Sequence, residues 1–338
     1  MKQREHELDF IRVTAMAMIV ICHIFSEAGV LWGQYFNAGV MVFLFLSGML
    51  ACRPKYGGKW IAARFKRILP EYYIFVILFL FVTVIFFHAE YSIKQILVNL
   101  FLLQGIFTDS GLPNINHLWF VTCILICYLL TPLFARLKNK LTGLQLILLA
   151  VVLQILIIPL RFIGIKLIFS RFVANLAGVY FSDRRPADEK VFDYRRYVNV
   201  MALPVIIINA VRFVFELSGL QERLPKVLEM GTSVVWQWAH MFLGIFLFYL
   251  LWLAGRAVMP ACGRRGTVVF MRLSAISYCV YIVHQVFVYH EYALTRYISP
   301  YFLALIVALI CIAVSALILY WLSNAVRSGI DKLTRRKA

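Results

Sequence analysis

The chain has 338 residues, 62% of them hydrophobic and only 15% charged, with a mean hydropathy of +0.83. A soluble domain is nearer half apolar and a quarter charged, so the composition excludes an ordinary globular enzyme and points to a multi-pass membrane protein. Lys and Arg number 34 against 16 Asp and Glu, a formal charge of +18 that would suggest nucleic acid in a soluble protein, but no RNA- or DNA-binding motif accompanies it and basic residues collect in the cytoplasmic loops of membrane proteins.

The chain opens on a basic flank, residues 1–7, followed by an apolar run too long for a secretory signal and without a small-residue cleavage site. It is read as a retained first span. A span needs roughly 20 apolar residues, fewer when snorkelling groups flank it. That criterion predicts ten spans: 8–31, 35–52, 70–88, 118–135, 143–160, 165–181, 197–216, 232–254, 267–289 and 301–324. With the N-terminus inside, the outer loops keep only Lys94, Arg161, Lys166, Arg223, Lys226 and Arg296. Arg171 and Arg212 fall within spans, and the other 26 basic residues lie on the cytoplasmic side. So uneven a split supports ten spans with both termini cytoplasmic.

Between the third and fourth spans, Ile93, Ile96, Leu97, Leu100, Phe101 and Leu103 recur at helical spacing. The run is too short to cross, and counting it as a span would invert everything after it. Residues 92–104 are therefore expected as a short amphipathic or re-entrant helix at the outer surface. The expected fold is an all-α membrane bundle of about ten helices, a single transmembrane domain over 1–338 with no soluble domain appended and no internal repeat. Six of the seven cysteines lie in or at apolar runs and Cys262 sits in a basic loop. With no Cys-x-x-Cys and an odd number, they are expected as small packing residues, and no metal site is predicted.

Several spans carry groups that packing does not require. The first holds Asp9, Arg12, His23 and Glu27 at membrane depth. Arg12 and His23 have ten residues between them, within ~20° of three full helical turns, so they share a face about 16 Å apart along the axis. Ionisable groups in hydrocarbon are costly and face a protein interior or a watery cavity. The other reading is a snorkelling interfacial Arg with a buried, hydrogen-bonded His. In the second span, Ser47 and Gly48 permit either a close helix approach or a local opening of the backbone. The cytoplasmic stretch that follows sets Arg64 and Arg67 three apart on one helix face, with Pro70 expected in the first turn of the third span. Two guanidiniums there suit the phosphates of a nucleotide-like donor, or equally an anionic lipid surface. Before the fourth span, Asn116, His117 and Trp119 form either a polar pocket over the helix mouth or an interfacial cap. Arg171, Arg212, His240 and His284 lie within later apolar runs, and four such groups imply a polar interior cavity. Outer aromatic residues such as Trp32, Tyr35 and Trp236 fit an interfacial belt or a sugar platform.

The ensemble is specific. An Arg and a His frame the first span, and the second reads Phe45-Leu-Ser-Gly48. Arg64-x-x-Arg67 then precedes Pro70 and Tyr72, followed by His117-Leu-Trp-Phe120 and the late Ser277-Tyr-x-x-Tyr281-x-x-His284. In that order, from residue 8 to about 290, the chain resembles the acyltransferase 3 family of bacterial integral-membrane acyltransferases. Members of that family move acyl groups, usually acetyl, from cytoplasmic acyl-CoA to hydroxyls of glycans, lipopolysaccharide, peptidoglycan or other cell-surface acceptors. The resemblance implies a catalytic role for His23, donor binding by Arg12, Arg64 and Arg67, and a place in the bacterial cytoplasmic membrane. Some members carry an extracytoplasmic hydrolase-like domain. Without one, this chain is expected to acylate its acceptor directly or to pass the acyl group to a separate protein.

The chemistry fits the residues. A sugar hydroxyl is a poor nucleophile at neutral pH and needs a base within hydrogen-bond reach. An imidazole, with its unperturbed pKa near neutrality, suits that task at His23. Glu27, one turn further out, would orient the ring or hold the acceptor. Whether His23 acts as base or becomes transiently acylated is left open by the residues. Ser47 is a candidate donor to the thioester oxyanion, and Asn116, His117, Trp119, Tyr281 and His284 are candidates for contacting the acceptor. The expected partners are membrane lipid, acyl-CoA (acetyl-CoA) and a surface glycan or glycolipid, with homo-oligomerisation compatible and nucleic acid not expected. Two other readings compete: an exporter or flippase of a polysaccharide or acylated small molecule, and a sensor in which the same motifs serve as scaffold.

Overall fold

A computed structural model describes residues 5–51, 56–107, 110–157, 159–160, 169–183, 194–220 and 223–335. Among the described residues there are eleven α-helices and no strand. In chain order they are α1 (His6–Glu27), α2 (Ala38–Ala51), α3 (Gly58–Phe87), α4 (Ile93–Leu100), α5 (Trp119–Lys138) and α6 (Gly143–Ile157). Then come α7 (Phe169–Tyr180), α8 (Tyr194–Leu217), α9 (Lys226–Ala261), α10 (Gly263–Val288) and α11 (Tyr301–Arg335). A 3-10 turn, Leu31–Asn37, joins α1 to α2.

Eight stretches of the described residues are long and apolar enough to cross a membrane: His6–Glu27, Leu31–Ala51, Gly58–Phe87, Asn116–Lys138, Val198–Leu217, Gly231–Ala261, Gly263–Val288 and Tyr301–Leu333. They coincide with eight of the ten expected spans. The other two correspond to α6 and α7, of 15 and 12 residues, and the stretch 161–168 between them lies outside the described residues. So do Lys2, Arg4, Cys52, Arg53, Lys55, Arg184, Arg185 and Lys190. Large apolar side chains stand exposed along these helices, among them Phe81 and Phe86 on α3 and Phe302 and Trp321 on α11. Such continuous apolar surface is what a helix facing lipid presents. The protein is a multi-pass membrane protein.

The helices divide into two compact units. The first comprises residues 1–52, 130–156 and 168–274, with α2 packed on α1, α7 and α9. Glycine makes this packing possible. A Cβ at Gly48 would stand 2.0 Å from the Asn175 carbonyl oxygen, and one at Gly178 would stand 2.0 Å from that of Phe45. The α2 and α7 backbones therefore touch, and the Asn175 amide donates to the Leu44 carbonyl across the seam at 2.9 Å. Of the two expectations for Ser47-Gly48, the close helix approach is the one observed at Gly48. Phe134, Leu146, Leu176 and Val179 form a buried apolar cluster in the same unit.

The second unit comprises residues 53–129, 157–167 and 275–338, with α3 packed on α11. Here the expectation for Pro70 is corrected. The helix begins at Gly58, so Pro70 lies well inside it and not in a first turn. A proline has no N–H to give the carbonyl four residues back, here that of Lys66. Arg327 of α11 faces the carbonyl left without that donor, its Nε 3.4 Å from the Lys66 oxygen, and its Nη2 donates to the neighbouring Arg67 oxygen at 2.9 Å. The same guanidinium pairs with the carboxylate of Glu71, which is 3% exposed. Within the stretch 92–104 the structure holds the eight-residue α4. It is opened by a capping box in which the Ser92 hydroxyl accepts from the Gln95 N–H at 3.2 Å and the Gln95 side chain accepts from the Ser92 N–H at 2.9 Å.

Candidate functional site

In the first unit, α1 runs unbroken from His6 to Glu27, so the spacing argument for Arg12 and His23 holds along one continuous helix. Its N-terminal turns carry a charge pair. Asp9 is 1% exposed, with Arg12 Nη1 at 3.6 Å and His6 Nδ1 at 3.8 Å from its oxygens. Asp9 thus steadies the Arg12 guanidinium from the preceding turn, a role visible in the i,i+3 spacing but not assigned from sequence. His23 and Glu27 are both half-buried and one turn apart at the other end of the helix. Between them, the Ser26 hydroxyl donates to the Cys22 carbonyl at 2.8 Å.

That end of α1 is fixed by aromatic packing. Phe25 lies against Trp32 and Phe36 of the 3-10 turn, with ring centroids 4.7 and 5.9 Å apart. Gln34 and Tyr35, between those two anchors, reach a polar cluster on α8 and α9. Arg212 donates from Nε to Glu216 at 2.8 Å and from Nη2 to the Gln34 side-chain oxygen at 3.3 Å, while the Gln34 amide bonds Glu216. Arg212 Nη1 lies 3.4 Å from His240 Nδ1, its Cζ stands 5.2 Å from the centre of the Tyr35 ring, and the Tyr35 hydroxyl donates to the Asn209 carbonyl at 3.2 Å. Arg212 and His240, expected from the sequence to face a polar interior cavity, lie in this cluster of mutually bonded side chains. Gln34 and Glu216 were not anticipated. Glu216 was signalled by its i,i+4 spacing from Arg212, whereas nothing local marks Gln34.

In the second unit, three of the acceptor-contact candidates come together. His117 Nε2 faces the Ile282 carbonyl at 3.0 Å, His284 Nδ1 faces the Tyr281 carbonyl at 2.7 Å, and the Tyr281 hydroxyl donates to the His117 carbonyl. A carbonyl only accepts, so each ring carries its proton on the named nitrogen. The two imidazoles meet edge to face with centroids 5.0 Å apart. The Gln285 side chain, not anticipated, accepts from the His117 N–H at 3.1 Å and joins the start of α5 to α10. Asn116 is exposed, and Trp119 is half-buried against Phe120. On α3, Arg64 lies between two aromatic rings, 5.2 Å from the centre of Trp60 and 5.3 Å from that of Tyr128, while Arg67 is exposed. In the loop after α10, desolvation above all, with Tyr91 and Glu291 nearby, pushes the Tyr292 phenol up to about 12, so it stays protonated at neutral pH. No group of three or more potential metal-ligating side chains occurs among the described residues.

A family model described as an acyltransferase domain matches residues 5–324. Comparison with curated proteins and comparison with solved structures each returned no match.

Proposed function

Because the chain belongs to the acyltransferase 3 family, we propose that it transfers an acyl group, acetyl by preference, from cytoplasmic acyl-CoA to a hydroxyl of an extracytoplasmic glycan or glycolipid. The observation that carries this is the family match across nearly the whole chain, in a protein whose first helix presents Arg12 and His23 on one face. In the proposed topology the ten spans leave both termini in the cytoplasm of a bacterial cell, so the N-terminal end of α1 meets the donor and its C-terminal end meets the acceptor.

The reaction follows from these groups. His23 takes the proton of the acceptor hydroxyl as its oxygen attacks the thioester carbonyl. The C–S bond breaks, and the proton passes to the departing CoA thiolate, which leaves the ester on the acceptor. Glu27, one turn along the helix, orients the imidazole. Arg64 and Arg67 bind the nucleotide end of the donor through charge-assisted hydrogen bonds, and Arg12, steadied by Asp9, is a further donor-binding residue. The flanking rings of Trp60 and Tyr128 support this for Arg64, because they restrict the guanidinium before a ligand arrives.

The test is acyl transfer from radiolabelled acetyl-CoA to envelope glycan, in membranes holding wild-type chain or His23→Ala at matched protein levels. Wild type is expected to label a glycan fraction, and His23→Ala to label it about 100-fold less or worse, the contribution of a positioned base. Labelling that survives His23→Ala removes the base from this residue. No labelling by wild type, in cells whose surface glycan still depends on the chain, replaces transfer by export.

A further inference from the structure

The first turns of α10 have two unlike halves. At 100° per residue, Arg264, Arg265, Val268, Val269, Arg272 and Leu273 fall within about 180° of one another. All six are exposed, the apolar three at 38%, 53% and 38%. The other half turns inward: Ser274 and Ser277 are buried, and Phe270 packs on Phe10 of α1 with ring centroids 5.5 Å apart. Arg265 and Arg272 are seven positions apart, within about 20° of two full turns. They stand in one row about 10 Å apart along the axis, with Val268 and Val269 on either side of it. Arg12, Lys66 and Arg327 each meet a carboxylate, that of Asp9, Asp331 and Glu71 respectively. Among the described residues, no carboxylate pairs with Arg264, Arg265 or Arg272.

A face of this kind suits neither medium of a membrane by itself. Guanidiniums are costly in hydrocarbon, and large apolar side chains are better out of water. Gly263–Val288 is long and apolar enough to cross a membrane, so its basic first turns stand where headgroups meet acyl chains. We propose that this face of α10 holds an acidic phospholipid. Its phosphodiester lies between Arg265 and Arg272, Arg264 adds a third positive charge, and an acyl chain runs along Val268, Val269 and Leu273. The site is separate from the transfer reaction and does not depend on it. A phosphodiester accepts the paired N–H groups of a guanidinium. A zwitterionic lipid brings its own cation to the same phosphate and cancels the attraction, whereas an acidic lipid keeps its net negative charge. A soluble anion would meet the arginines but leave the three apolar side chains uncovered.

The experiment uses the full chain in detergent, with lipid binding read by native mass spectrometry. The probes are palmitoyl-oleoyl phosphatidylglycerol, the phosphatidylcholine with the same chains, and glycerophosphoglycerol, which is the acidic headgroup without chains. The proteins are wild type, Arg265→Gln, the double variant Arg265→Gln/Arg272→Gln, and Arg223→Gln, which removes the same charge just before α9. Wild type is expected to bind phosphatidylglycerol about tenfold more tightly than phosphatidylcholine. Arg265→Gln is expected to weaken that binding about fivefold and the double variant about 25-fold, the worth of one and two basic residues near an acidic lipid surface. Arg223→Gln is expected to leave it unchanged. The single variant keeps the test alive if the double variant fails to accumulate. Equal binding of the two lipids overturns the site, and so do variants that bind phosphatidylglycerol as wild type does. Glycerophosphoglycerol bound as tightly as the intact lipid replaces it by a simple anion site. A loss in Arg223→Gln as large as that in Arg265→Gln assigns the effect to net charge and also overturns it.

Discussion

The two units place their polar side chains differently. In the second, many polar groups are spent on neighbouring backbone. The hydroxyls of Tyr72, Tyr73 and Thr122 donate to the carbonyls of Asn99, Leu100 and Leu102 at 2.7, 3.0 and 2.7 Å. His117, His284, Tyr281 and Arg327 do the same at the carbonyls of Ile282, Tyr281, His117 and Arg67. In the first unit, the tightest seam is made by bare backbone at Gly48 and Gly178, with Asn175 as its polar stitch. Side-chain polarity there is concentrated in groups that meet one another, Asp9 with Arg12 and Arg212 with Glu216, Gln34 and His240. Where glycines bring helices together, polar side chains are left to pair with one another. Where long side chains and loops must be fixed between helices, they become structure.

Replacing Gly48 by Leu tests this contrast most severely. The new Cβ would meet backbone, not a side chain able to move, so the α2–α7 seam must open and the protein is expected not to accumulate in membranes, as read by immunoblot and by fluorescence-detected size exclusion. Next in size is His117→Leu, which leaves the Ile282 carbonyl bare in a buried site. A loss of about 2 kcal/mol is expected, seen as a lower thermal midpoint in detergent. If His117→Leu instead leaves the midpoint untouched and abolishes transfer, His117 serves the reaction where its hydrogen bonds assign it to structure. The smallest effect belongs to Tyr73→Phe, whose partly exposed hydroxyl makes one bond to Leu100. About 1 kcal/mol or less is expected in the same assay, with acyl transfer kept.

Much of the fold was legible because lipid imposes it. Apolar runs of sufficient length must become helices, since no other backbone satisfies itself in hydrocarbon. Eight of the ten expected spans therefore coincide with helices of crossing length, and α4 lies where a short non-crossing helix was expected. The spacing of Arg12 and His23 along one helix was legible for the same reason of periodicity, whereas Glu216, four residues from Arg212 on a single helix, was signalled but not read. Pro70 misled because helix-start statistics assume that nothing else meets the orphaned carbonyl, whereas Arg327 comes from 257 positions further along the chain.

The sequence by itself determined the helices, the faces they present and the ionisable groups each carries, because these depend on composition and on a repeat of 3.6 residues. Only the tertiary structure decided which of those groups meet. Gln34 lies 178 positions from Arg212, and Gln285 lies 168 from His117. No local rule joins them, since such a pairing exists only once close packing has chosen which helices are neighbours and at what height.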